Sequence, residues 1–330
     1  MVSIIIPNYN KAKFLEDTFN SLLLQTSDDW EAVIVDDGST DHSSDICQNY
    51  ILKDHRFRYY LRDRLPKGAN TCRNIGIEKS KGEYIIFLDS DDKMAPHCIE
   101  QRSIFMEQSS IDFAVFPTGT FKERIGDSKK FWRSKSSKNH LVQFLRHDLP
   151  WNISSPIWRK NFLIQTHCFN EHYPRLQDVE FHTRILLKAS ANYAIAENTK
   201  PDCFYRIGTQ RIVDDYSMLV EKFVQGVCMY IVDMWMLINE RAKNQGSLRQ
   251  ALKGTIFKAM RQILYDAREG KISKKEKERF IGQLMVNKTV QELLGKRGAG
   301  ILKIYRKGFE MGIGKLKGYN FFMNSLLTKT

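Results

Sequence analysis

The chain predicts an α/β fold with a mostly parallel sheet, followed by a helical region. Three observations lead there. Short apolar runs alternate with segments of helical periodicity through about residue 116. Polar and acidic clusters directly follow several of those runs. From about residue 214 the pattern changes to long amphipathic stretches. Strands alternating with helices imply right-handed crossovers, and these build a parallel sheet covered on both faces.

Val2–Ile6 is a continuous apolar run, suited to a strand buried on both faces. Phe14, Leu15, Thr18, Phe19, Leu22 and Leu23 then recur at helical spacing. Glu31–Val35 gives a second buried strand, and a helix follows near Asp41–Ile51. Phe57–Leu61 is the third strand, Ala69–Ser80 a helix closed by Lys81-Gly82, and Glu83–Leu88 the fourth strand. Pro96–Gln108 is a helix and Ile111–Phe116 a fifth strand. Lys122–Lys138 is polar and Lys/Ser-rich, and reads as a mobile loop. A short helix begins at Leu141–Leu145 and a clearer one covers Asp178–Ala189. Strands are expected near Tyr193–Ala196 and Cys203–Ile207. Helices over Tyr216–Asn239 and Leu248–Arg268 follow, with weaker ones after Ser273, so a boundary is expected near residue 210.

At 330 residues, 42% hydrophobic and 27% charged, the chain can form a large domain plus an appendage. No stretch approaches the ~20 apolar residues of a membrane-spanning helix. Val2–Ile6 ends at Pro7 and is too short for a signal core. The six cysteines, Cys47, Cys72, Cys98, Cys168, Cys203 and Cys228, form no C-x-x-C pair. That spacing argues against a zinc site or a disulfide framework and fits a reducing cytoplasm. The net charge of +13 is uneven. From Arg241 to the end there are 21 Lys and Arg against 6 Asp and Glu, whereas the first 240 residues hold 30 against 32. A basic tail implies an anionic partner or a solvated surface.

Four clusters carry candidate chemistry: Pro7-Asn8-Tyr9-Asn10 after strand one, Asp36-Asp37-Gly38-Ser39-Thr40-Asp41 after strand two, Asp89-Ser90-Asp91-Asp92 after strand four, and Gln177-Asp178-Val179-Glu180 opening a later helix. Singly, each reads equally well as a turn or a helix cap. Together they differ, because carboxylates crowded at one sheet edge repel one another unless a cation is present. Hard oxygen ligands at i and i+2 suit Mg²⁺ or Mn²⁺, which bind jointly to carboxylates and substrate phosphates. In open α/β sheets the ligand lies beyond the carboxyl ends of the strands.

The runs V-S-I-I-I-P-N-Y-N, A-V-I-V-D-D-G-S-T-D and R-N-I-G-I-E-x-S-x-G-E-Y-I-I-F-L-D-S-D-D resemble the family 2 glycosyltransferases of the GT-A fold, closely over residues 1–115 and loosely to about 210. The resemblance implies a GT-A catalytic domain over residues 1–210, with a nucleotide-sugar half at 1–115 and an acceptor half at 116–210, ahead of a helical, basic region at 211–330. It implies that Pro7 and Tyr9 line the base pocket and that Asp37 reads the uracil imide N–H. It likewise implies that Arg73 steadies the nucleotide, Asp89 holds the ribose hydroxyls and Asp91 binds the metal. Asp92 reads equally as a helix-entry cap. Asp178 matches the second acid of the family's acidic pair, the general base. Gln177 replaces the usual first acid, which leaves Glu180 as the competing base.

The implied reaction is inverting transfer from a UDP-sugar to a hydroxyl of a glycan or lipid-linked glycan. Arg206 or Arg211 could assist departure of the diphosphate, although surface arginine is the plainer reading of each. Trp132, Trp151 and Trp158 are candidate sugar platforms or core residues, with core favoured for Trp158. His182 is four residues past Asp178, where a structural histidine is the plainer reading. In the tail, Ile301, Leu302, Ile304, Tyr305, Phe309 and Ile313 interleave with lysines and arginines, and Phe321, Phe322, Leu326 and Leu327 follow. They suit peripheral attachment to an anionic inner leaflet or a helix with a solvated basic face. Nucleic acid is not expected, for lack of a binding motif. Two other classes stand beside the main one: an inactive nucleotide-sugar binding protein, which Gln177 makes thinkable, and a nucleotidyltransferase. The latter is disfavoured because Pro7-Asn8-Tyr9-Asn10 replaces a Gly-rich phosphate loop. A dinucleotide-binding dehydrogenase fails for lack of G-x-G-x-x-G.

Overall fold

The computed structural model describes residues 1–188, 191–208, 215–241 and 243–329. The chain forms two compact units. The first comprises Met1–Lys138, Pro150–His172 and Ala189–Gln210, and the second Asn139–Leu149, Tyr173–Lys188 and Arg211–Thr330. The boundary expected near residue 210 falls outside the described residues.

Elements run in chain order as β1 (Val2–Asn8), α1 (Ala12–Leu23), β2 (Trp30–Asp36), α2 (Ser43–Lys53), β3 (Phe57–Leu61), α3 (Ala69–Lys79) and β4 (Tyr84–Phe87). There follow β5 (Lys93–Met94), α4 (Cys98–Glu107), β6 (Phe113–Val115), β7 (Thr118–Phe121), β8 (Phe131–Trp132), α5 (His140–Leu145), β9 (Pro156–Arg159) and α6 (Lys160–Gln165). Next come α7 (Gln177–Lys188), β10 (Tyr193–Ile195), β11 (Cys203–Arg206), α8 (Tyr216–Asn239), α9 (Gln245–Arg268), α10 (Lys274–Val286), α11 (Lys288–Glu310) and α12 (Tyr319–Thr328).

The first unit is built on a seven-stranded sheet of order β10-β6-β9-β4-β1-β2-β3. β4, β1, β2 and β3 are parallel neighbours, so their carboxyl ends share one edge. β1 and β2 are buried along their whole length, which is why they read as unbroken apolar runs rather than alternating ones. Ile4, Ile6, Ala32, Ile34 and Ile86 face one core and Val33 and Val35 the other, where Cys72 and Ile75 of α3 meet them. Gly76 sets that approach, because a Cβ there would stand 2.3 Å from Ile5 Cγ2.

Two features depart from the sequence expectation. β9 inserts antiparallel between β4 and β6, and a second sheet, β5-β11-β7-β8, lies beyond β4 in the chain. The stretch read as a mobile loop contains β8, the buried Ser134, and Ser136, whose backbone N–H donates to Glu197 at 2.6 Å.

The second unit is helical and centred on α9, which touches α5, α8, α10, α11 and α12. Leu252, Ile256, Met260 and Ile263 bury its apolar stripe. Asp215 caps α8 through the Met218 N–H at 3.0 Å, and Ser273 with Glu276 forms a capping box on α10. The glycine-rich tail is more helical than expected. Gly295 takes the positive φ of a kink inside α11, and tertiary burial of Leu302, Tyr305 and Phe309 holds the rest helical despite low propensity.

Candidate active site

Parallel pairing of β1 with β2 and β4 places three of the four clusters at one edge. Asn8 stands opposite Asp36, and Ile5 opposite Phe87, so the chain leaves β1, β2 and β4 as Tyr9, Asp37 and Asp89 on the same side. Pro7 is buried within β1 opposite Val35.

Asp36 fixes the turn after β2. Its Oδ1 accepts the N–H groups of Gly38 at 2.9 Å and Ser39 at 2.6 Å, and its Oδ2 accepts from Asn8 Nδ2 at 2.6 Å. Gly38 has φ of 85°, which a side chain would strain. Asp37 is thereby turned to the edge and is nearly buried. Its Oδ1 accepts from Arg62 Nε at 2.5 Å and from the Gly68 N–H at 3.1 Å. Its Oδ2 takes no hydrogen bond among the described residues. Tyr9 is 45% exposed, and the Lys67 ammonium lies 3.7 Å from its ring centroid. Arg62, Lys67 and Gly68 belong to the loop between β3 and α3, which carries no motif.

Arg73 on α3 is buried, and its Nη2 donates to Asp89 Oδ1 at 2.8 Å. The neighbouring Asn74 anchors α3, exchanging two 2.9 Å bonds with the backbone of Phe169. The Phe169 ring in turn lies 5.5 Å under the Arg73 guanidinium. Asp89 is therefore held in one orientation by a fixed cation, with a third of its side chain exposed.

Asp91 is 18% exposed and keeps one carboxylate oxygen open to an ion. Its Oδ2 accepts from the Lys11 ammonium, and its Oδ1 takes no hydrogen bond among the described residues. Lys11 immediately precedes α1, and sequence reading gave no reason to single it out. Asp92 behaves differently from a helix cap. It is buried, its Oδ1 accepts the Arg206 N–H at 2.9 Å, and its Oδ2 is buried without a partner. Burial, then the charges of Asp89 and Asp91, push its carboxyl well above the usual range. These residues fit a divalent cation: the donors are hard oxygens, an ammonium already stands on Asp91, and an orphaned carboxyl oxygen lies one residue on. Asp91 would hold the ion.

Arg206 is not a surface arginine. It is buried, and Nε donates to the Asp91 carbonyl at 2.9 Å while Nη2 donates to Asp17 at 2.8 Å. It buttresses the Asp91 turn. Arg211 lies outside the described residues.

In the second unit Gln177 and Asp178 form the first turn of α7, where the helix N-terminus favours a carboxylate. Glu180 is buried and paired with Arg184 at 2.5 Å, and burial raises its carboxyl. That environment suits a structural acid. His182 is buried between Phe144, stacked at 5.2 Å, and Phe181. Trp151 and Trp158 are core residues of the first unit, Trp158 lying 4.3 Å from Phe113. Trp132 on β8 is half-buried, edge-on to Tyr205.

Cys98 and Cys203, 105 residues apart in sequence, come together with Sγ atoms 3.8 Å apart beside Asp202. Asp202 is already committed to Arg102, at 2.9 and 2.6 Å with both side chains fully buried. Burial raises the Cys98 thiol well above its ordinary value, which disfavours the thiolate a metal requires.

A family model described as Glycosyl transferase family 2 matches residues 3–173. The chain is 42% identical over 115 residues to the glycosyltransferase TuaG of Bacillus subtilis, a match covering 34% of this chain and 45% of that protein. It is 30% identical over 208 residues to glycosyltransferase GlyG of Streptococcus pneumoniae, covering 60% of this chain and 69% of that one. The chain thus spans less than half of TuaG and about two thirds of GlyG. Among solved structures, S. aureus TarS 1-349 in complex with UDP-GlcNAc aligns with a TM-score of 0.67 at 17% identity, covering 98% of this chain and 90% of that chain. The mannosyltransferase PcManGT from Pyrobaculum calidifontis, in complex with GDP-Man and Mn²⁺, aligns at 0.54 and 14% identity, covering 99% and 84%. At such identities the structural likeness shows the fold.

Proposed function

The chain belongs to the family 2 glycosyltransferases, and from that membership we propose that it moves a sugar from a uridine diphosphate sugar to a hydroxyl of a glycan or lipid-linked glycan, with Mg²⁺ or Mn²⁺ and with inversion at the anomeric carbon. The observation that carries this reading is the shared edge of β1, β2 and β4, where an exposed aromatic ring, a half-used carboxylate and a turn of three aspartates stand side by side. Tyr9 stacks on the base. Asp37 Oδ2 accepts the uracil imide N–H, a proton that cytosine lacks. Asp89, fixed by Arg73, takes the ribose hydroxyls. Asp91 holds the ion, which when bound neutralises charge on the leaving diphosphate. The TarS and PcManGT complexes, one with UDP-GlcNAc and one with Mn²⁺, are in keeping with such a donor and ion.

Asp178 removes the acceptor proton. It is favoured over Glu180, whose carboxyl is buried and already paired. The acceptor oxygen then attacks the anomeric carbon opposite the diphosphate, and a single displacement inverts that centre. Replacing Asp178 by Asn is expected to abolish acceptor-dependent transfer while sparing UDP binding. Near-normal transfer by that variant would remove Asp178 from the role. If the wild type binds donor yet yields no product with any acceptor, the inactive binding protein that Gln177 suggests takes its place.

No helix among the described residues is long and apolar enough to cross a membrane. We place the enzyme in the cytoplasm, attached peripherally to an anionic leaflet through its basic C-terminal helices. Exposed Met311, Leu316, Phe321 and Phe322 there alternate with exposed Lys307, Lys315 and Lys317.

A further inference from the structure

We propose that Lys11 is an internal counter-cation of Asp91, drawn off by the donor's phosphates when metal and nucleotide bind, so that it couples the two binding events. The inference rests on reading Asp91 as the metal ligand.

Lys11 is placed by the chain as it turns from β1 into α1, with its backbone N–H on Ser43 Oγ at 3.2 Å. Its ammonium donates to Asp91 Oδ2, and it lies 5.5 Å from the Phe14 ring centroid. The pair is partly exposed, at 30% for Lys11 and 18% for Asp91, so solvent and ligands reach it. The other cations nearby are committed elsewhere. Arg206 and Lys93 pair with Asp17 at 2.8 and 3.0 Å, and Arg73 pairs with Asp89. Lys11 thus compensates the one carboxylate that the ion needs.

A divalent ion arriving alone must compete with this ammonium for the same carboxylate. An ion arriving with a nucleoside diphosphate meets a different balance. Phosphate oxygens accept charge-assisted hydrogen bonds from an ammonium, and a lysine head on a flexible stem can move from carboxylate to phosphate without disturbing α1. Nucleotide therefore relieves the competition. By thermodynamic reciprocity the ion strengthens nucleotide binding by the same factor.

The test is Mn²⁺ titration of the full chain, followed by electron paramagnetic resonance, with and without UDP. The wild type is compared with Lys11→Met and Lys11→Arg, each checked for an unchanged melting curve. Without UDP, Lys11→Met is expected to bind Mn²⁺ about tenfold tighter than the wild type. The gain in Mn²⁺ affinity that UDP confers is expected to shrink correspondingly, while Lys11→Arg retains the wild-type pattern. A Lys11→Met protein that binds Mn²⁺ alone no tighter than the wild type overturns the proposal. Asp91→Asn serves as the separate control. If it binds Mn²⁺ like the wild type in the presence of UDP, the metal assignment fails, not the competition argument.

Discussion

Arg62 Nε and the Gly68 N–H both donate to one oxygen of Asp37, at 2.5 and 3.1 Å, and leave the other oxygen without a protein donor among the described residues. A carboxylate held this way is immobile and can accept one further hydrogen bond. A single hydrogen bond to a charged group contributes about 1.5–3 kcal/mol. Asp37→Ala is therefore expected to weaken UDP binding roughly 10- to 100-fold and to erase the preference for UDP over CDP. Isothermal titration with both nucleotides checks this, and an unchanged UDP/CDP ratio would rule out Asp37 as the base reader.

The Arg102–Asp202 pair ties α4 to the start of β11 with no exposure of either side chain. Removing one partner leaves the other charge buried and uncompensated, at about 3–5 kcal/mol. Asp202→Asn should lower the urea midpoint accordingly. A loss below about 1 kcal/mol would mean that water or another group satisfies Arg102.

His147 gives a signature in pH. Burial, then the charge of Lys258, lowers it to about 4. The folded protein thus keeps it neutral where the unfolded chain protonates near 6.5. Between those values the unfolded state binds more protons, so this group's contribution is full above pH 6.5 and is lost as pH falls toward 4, by up to about 3 kcal/mol. His147 has φ of 57°, which Asn tolerates. His147→Asn should remove that part of the acid destabilisation seen in urea melts at pH 7 and pH 4.5. Identical pH slopes for the two proteins would contradict it.

The C-terminal helices give a fourth test. Phe321 is 80% exposed, and residues 311–329 hold three lysines and no acid. Lysines near an anionic leaflet contribute about 1 kcal/mol each. Sedimentation with phosphatidylglycerol vesicles should show binding that falls with salt. Lys315→Gln with Lys317→Gln should weaken it about 10- to 30-fold, since each 1.4 kcal/mol is tenfold. Absence of binding at low salt would sink the membrane reading.

The main sheet was legible because β1, β2 and β4 are buried on both faces and must be apolar throughout. β9 was not. Pro156–Arg159 is four residues long and is defined by partners some 40 and 70 residues away, a pairing no local pattern records. β5 and β8, at two residues each, leave no periodicity to read. The acidic members of the site were visible as clusters after strands. Their counter-charges Lys11 and Arg62, and Lys67 over the Tyr9 ring, were not, because a basic residue in a loop looks like solvated surface until the fold sets it against a carboxylate or a ring. Arg206 shows the reverse, since a position read as surface or catalytic is a buried brace.

The central claim is that this edge binds a uridine diphosphate together with a divalent ion held by Asp91. Calorimetric titration of UDP into the wild type and into Asp91→Asn, each with and without Mn²⁺, tests it most directly. The expected result is wild-type binding strengthened at least tenfold by Mn²⁺, with Asp91→Asn binding weakly and indifferent to the ion. Wild-type binding that ignores Mn²⁺, or an Asp91→Asn protein that still responds to it, would contradict the account.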